Sequence, residues 1–147
     1  MRYRYLLCLF LLAPLLASAA SLESPKMADK AVATFMQQAD QGQVDQAYAG
    51  LHPYLGVDAD AYDQAAKKAV TYFKEVFDKV GKPLGDLVVR REHIGNSFYR
   101  ISVLQKYQSA AFEWQFTFYQ PKQGWHLVGV SYSTDIDDLY QTLPGAR

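Results

Sequence analysis

Acid–base chemistry needs a carboxylate or an imidazole held away from water, with its pKa moved toward working pH. Five side chains of this chain are candidates for that work: His52, His93, His126, Glu113 and Asp86. His52 precedes Pro53 in a predicted loop between helices, so it is carried as a possible polar site residue with Glu113 and Asp86. His93 stands beside the turn Gly95-Asn96 and reads as a solvated strand-end residue. His126 follows Trp125 and faces the opposite side of its strand, toward solvent or a partner. The three histidines share no helical or strand spacing that converges on a metal, so neither metal nor other cofactor is expected. Asp135-Ile136-Asp137-Asp138 lacks the glycine and closing glutamate of a calcium loop. It reads instead as the acidic start of a short helix, Asp135 to Leu143, with Asp135 as cap. No Gly-x-Ser-x-Gly elbow and no glycine-rich phosphate loop occurs. These residues assign no catalytic group.

Phe112, Trp114, Phe116 and Phe118 alternate along one segment and share one face. They read first as the core face of a central strand packed on a helix, because such rings bury roughly 150–250 Å² each. The sharper reading places Phe112, Trp114 and Phe116, with Phe73 and Phe77 of a helix, around an apolar pocket. On the other face, Tyr99, Gln115, Tyr119 and Tyr132 would form a tyrosine-rich surface. Tyrosine is enriched at interfaces, so this surface is the expected contact of a homodimer.

The elements that hold these residues follow from hydrophobic period. Met27 to Gln41 reads as a helix on the spacing of Ala28, Ala31, Val32, Phe35, Met36 and Ala39. Val44 to Leu51 reads as a second helix, broken near Pro53. Asp58 or Asp60 caps a third, which runs to Val80 and ends at Gly81-Lys82-Pro83. Its buried stripe is Tyr62, Ala65, Ala66, Ala69, Phe73, Val76, Phe77 and Val80. Beyond Gly85 the period falls to two, with strands at Asp86–His93, Phe98–Tyr107, Ala110–Tyr119 and Trp125–Tyr132. Their short links favour an antiparallel meander. The fold class is therefore α+β: N-terminal helices on a curled antiparallel sheet of about four strands.

Residues 1–20 read as a cleaved signal peptide. Arg2 and Arg4 precede an apolar run, and Ala17-Ser18-Ala19 is a small-x-small cleavage site. Ser21 to Lys26 is expected as a loose lead-in, and residues 27–147 as a single domain in the periplasm or outside the cell. Cys8 is the only cysteine and lies in the tag, so no disulfide and no stable membrane anchor is expected after cleavage. The 15 basic and 15 acidic residues cancel, and loss of Arg2 and Arg4 leaves a balance of −2. With no concentrated basic face, nucleic-acid binding is not expected.

Two stretches carry a resemblance: Gly81-Lys82-Pro83-Leu84-Gly85 after the third helix, and Gly124-Trp125-His126-Leu127-Val128-Gly129 opening the last strand. With the order of elements, they resemble small bacterial secreted members of the nuclear transport factor 2-like superfamily, over about residues 27–134. A cystatin-like arrangement, with one helix against the sheet, is the structural rival. The resemblance implies a cone-like fold, dimerisation through the outer sheet face, and, in enzyme members, an Asp or His inside the cone. The expectation is an exported non-enzymatic domain that binds a small apolar molecule or a protein partner. The alternatives are an isomerase, dehydratase or hydrolase of the same superfamily, or an envelope inhibitor or assembly factor.

Overall fold

The structure, a computed structural model, describes residues 20–141. The expected signal peptide therefore lies outside the described residues, apart from Ala20. Helix α1 spans Pro25–Asp40. It begins two residues before the expected Met27, because Ser24 caps it through its side chain and Pro25 fits the first turn. Helix α2 spans Val44–Leu51 and buries Val44, Ala47, Tyr48 and Leu51. A 3-10 turn at His52–Tyr54 follows. Asp58 then caps helix α3, Ala59–Val80, accepting from the Ala61 amide at 2.9 Å. The α3 stripe is narrower than expected: Tyr62, Ala69, Phe73 and Val76 are buried, Phe77 and Val80 half-buried, and Ala65 exposed.

Four antiparallel strands follow in chain order: β1 Gly85–Ile94, β2 Phe98–Lys106, β3 Ala111–Tyr119 and β4 His126–Ser133. The α+β architecture is as the period change implied, with three helices on a curled, unclosed sheet. The inner face carries Phe112, Trp114, Phe116 and Phe118 of β3, beside Tyr99, Ile101 and Val103 of β2. Phe35 of α1 fills the concavity above them. Its ring centroid lies 4.9 Å from Phe116, 5.1 Å from Trp114 and 5.2 Å from Tyr48, all edge-on. Phe73 of α3 stacks on Trp114 at 4.6 Å. Both helices thus contribute to covering the central strand.

Four expectations change. Ser21–Lys26 is not loose: Leu22 exchanges two backbone hydrogen bonds with Trp125, at 2.9 and 2.7 Å, and is buried. Pro25 and Lys26 already belong to α1. Tyr132 leaves the outer face, because β4 carries an irregularity opposite Thr117 and Phe118. Leu127 pairs with Phe118 and Val130 with Phe116, so the simple alternation from Trp125 is broken and Tyr132 pairs with Trp114. Tyr99 also faces inward, since its register partner is Phe118. The acidic C-terminal stretch forms a 3-10 turn at Asp137–Leu139, where the Asp137 amide bonds Asp135 Oδ1 at 3.2 Å. The last two residues of the expected helix lie outside the described residues.

Candidate functional site

A groove of about 720 Å³ lies between α2 and α3, outside the curled sheet. Asp45, Tyr48, Ala49, His52 and Pro53 form one wall, and Tyr62, Asp63, Ala66, Lys67, Val70 and Thr71 the other. The sequence creates this groove by placing Ala49 and Ala66 where larger side chains would fill it. At its base the Tyr62 hydroxyl donates to the Tyr48 carbonyl at 2.8 Å. The two rings meet at 5.5 Å. Burial pushes both phenols well above the ordinary tyrosine pKa, so both stay neutral at physiological pH.

Charge is confined to the rim. His52 Nε2 lies 3.5 Å from Asp63 Oδ1, both side chains about half exposed. At that exposure the pair is screened by water and contributes little to stability. Asp45 and Lys67 complete the rim. An apolar floor with a few polar groups at one lip suits an apolar body with a polar head.

The structure does not gather the expected polar site. His52 lines the groove. Glu113 is buried on the outer sheet face, where Gln115 Nε2 donates to its Oε1 at 3.0 Å. Asp86 stands in β1 opposite Gln105 of β2. Phe112, Trp114 and Phe116 are core side chains rather than walls of an open cavity. Phe73 and Phe77 border a smaller hollow of about 390 Å³ with Gly42, Val70 and Tyr107. Gly42 is needed there: its φ is +78°, and a Cβ would sit 3.2 Å from the Phe77 ring.

Of the four residues expected on a tyrosine-rich outer surface, only Gln115 and Tyr119 are there, Tyr119 stacking on Phe98 at 4.6 Å. Tyr99 instead donates to Asp29 Oδ1 of α1 at 2.7 Å, and Arg91 Nε approaches the same oxygen at 3.2 Å. Burial first, then Asp29, pushes the Tyr99 phenol up to about 12. Burial likewise raises the Tyr132 phenol, which stacks on Tyr72 at 5.3 Å. His93 stacks on Tyr99 at 4.7 Å and is exposed. His126 is half-buried against Gly56, where an added Cβ would lie 2.7 Å from the His126 Cβ.

Sequence reasoning missed Asp63, Tyr48, Tyr62 and the two alanines of the groove. The signal was a small residue on each of two successive helices, Ala49 exposed and Ala66 half-buried. Among the described residues, no three His, Cys, Asp or Glu side chains gather as a metal site requires. Compared with known proteins, the chain matches no family model and no curated protein sequence.

Proposed function

We propose that this protein is an exported, non-enzymatic binding domain, and that it holds a small apolar ligand in the α2–α3 groove. The observation that carries this reading is where space is found. Phe35 packs the interior of the sheet, while about 720 Å³ stays open between helices with an apolar floor. That size lies within the roughly 300–1,000 Å³ of ordinary ligand pockets. Export to the periplasm or beyond, membership of the nuclear transport factor 2-like superfamily and a homodimer through the outer sheet face belong to the same proposal. Three helices followed by a curled four-stranded sheet support the superfamily reading.

The test is a titration of the ¹⁵N-labelled protein with dodecanol, dodecanoate and dodecylamine below their micelle concentrations. The expected shifts fall on Ala49, Tyr62, Ala66 and Val70, and Ala66→Phe abolishes them without lowering the melting temperature. Shifts scattered over the sheet, or none at millimolar ligand, would remove the reading.

One observation favours a second reading, an enzyme of the hydrolase or dehydratase type. His52 and Asp63 face each other at 3.5 Å on the groove lip, an arrangement that orients an imidazole as a base. Turnover of acyl esters or hydroxy compounds that disappears in His52→Gln would select it. A third reading, a protein partner such as an envelope inhibitor or assembly factor, would use the same groove or the outer sheet face.

A further inference from the structure

Rings and charges are not spread evenly along the α2–α3 groove. One end is set by His52 and Asp63, whose Nε2 and Oδ1 lie 3.5 Å apart. The other is set by Asp45 and Val70, which also border the neighbouring hollow with Phe73 and Lys74. The rings gather at the His52 end. His52 stands edge-on to Tyr62, with centroids 6.0 Å apart and planes at 75°. Tyr62 in turn meets Tyr48 at 5.5 Å and 54°. All three line the groove beside Asp63, and the angles between neighbouring rings turn their faces in different directions.

The hydrogen-bonding capacity of this end is one-sided. The Tyr62 hydroxyl has a single proton, and that proton goes to the Tyr48 carbonyl at 2.8 Å. Burial first, then the Asp63 charge, raises the Tyr62 phenol, so the ring beside the carboxylate stays neutral. What this end offers a ligand is therefore a half-exposed carboxylate and aromatic faces. Lys67 stands one turn beyond Asp63 on α3, toward the Asp45 end, with Asp45 on the facing wall. Among the described residues Lys67 and Asp45 form no ion pair. With His52 neutral, the lining holds two carboxylates and one ammonium, a balance of −1.

We propose that the ligand of this groove is an alkylammonium, with its chain between Ala49 and Ala66 and its cationic head at Asp63 among His52, Tyr62 and Tyr48. The inference rests on the groove being a ligand site. A cation gains at once from a carboxylate and from the electron-rich faces of aromatic rings. An alcohol head gains neither charge contact, and a carboxylate head is repelled by both. An anionic head would have to sit at Lys67, one turn from Asp63 and across from Asp45. A neutral His52 adds a third ring to the seat. A protonated His52 instead pairs with Asp63 and competes with the ligand for that carboxylate.

The test is calorimetry of the purified protein with dodecylamine, dodecanol and dodecanoate below their micelle concentrations, at neutral pH. The three share one chain and differ only in the charge of the head. Dodecylamine is expected to bind about three- to tenfold more tightly than dodecanol, since charge and cation–π contacts at a half-exposed seat are individually modest. Dodecanoate is expected to bind more weakly than dodecanol. Asp63→Asn should bring the amine-to-alcohol ratio toward one, and added salt should narrow it in the native protein. Amide shifts at His52 and Asp63 should be larger with the amine than with the alcohol. Equal binding of all three, preference for dodecanoate, or a ratio unmoved in Asp63→Asn would overturn the cationic head and leave the groove standing as an apolar site. Amine shifts that fall away from the groove would also overturn it. Binding of none of the three would remove the groove reading itself.

Discussion

The Tyr62 hydroxyl donates to the Tyr48 carbonyl at 2.8 Å, tying α3 to α2 at the base of the groove. From that tie the two helices open around Ala49 and Ala66. The groove is thus a consequence of one hydrogen bond and two small side chains, and its width depends on all three.

Tyr62→Phe keeps the ring against Tyr48 and removes the tie. A typical intramolecular hydrogen bond contributes about 0.5–1.5 kcal/mol, so urea unfolding is expected to show a loss in that range. Ligand binding in the groove should weaken in the same variant. An unchanged midpoint and unchanged affinity would mean that the tie does not set the groove.

Phe35→Ala removes the ring that fills the curled sheet. It is buried and meets Tyr48, Trp114 and Phe116 within 5.2 Å. Losses of about 3–5 kcal/mol are usual for such truncations, a large share of a small domain's stability. Calorimetric melting should show a much lower midpoint. The vacated space should also take up a small aromatic such as benzene, which the native core excludes.

Leu22→Ala tests the docking of the N-terminal segment. A loose lead-in would give no change. The structure buries Leu22 and pairs it with Trp125, so a loss of about 2–5 kcal/mol in urea unfolding is expected. Trp125 fluorescence should shift to the red as its cover loosens.

Much of the fold was legible in the chain. Val44, Ala47, Tyr48 and Leu51 named the buried side of α2 with correct bounds, because a short helix with one apolar stripe has few other ways to pack. The alternation at Phe112–Phe118 likewise fixed the inner face of β3. Tyr132 was placed on the wrong face because an irregularity in register leaves no periodic trace and reverses every later side chain. Tyr99 was misplaced for a different reason. Its strand alternates correctly, but only pairing with Phe118 shows which face is inner. The groove was invisible since it is defined by absent volume at Ala49 and Ala66, on two helices whose crossing no local pattern reports.

The buried phenols give the protein an alkaline limit. Tyr48, Tyr62, Tyr99 and Tyr107 all have pKa values raised chiefly by burial, with Tyr99 and Tyr107 pushed up to about 12. The folded chain therefore keeps protons that the unfolded chain releases near pH 10. Stability is full below that pH and falls as pH rises toward the folded values. Absorbance at 295 nm should show the exposed tyrosines ionising first and the buried group ionising together with loss of the circular dichroism signal. Smooth ionisation of every tyrosine near pH 10 in a folded chain would contradict this packing.

The central claim, that the α2–α3 groove binds an apolar ligand, is tested most directly by calorimetry with alcohols of increasing chain length. Burial of each methylene is worth up to about 0.8 kcal/mol, or about a fourfold gain in affinity, until the groove is full. The account predicts a rising series from hexanol upward that levels off, and a flat series in Ala66→Phe. A flat series in the native protein, or the same rise in Ala66→Phe, would contradict it.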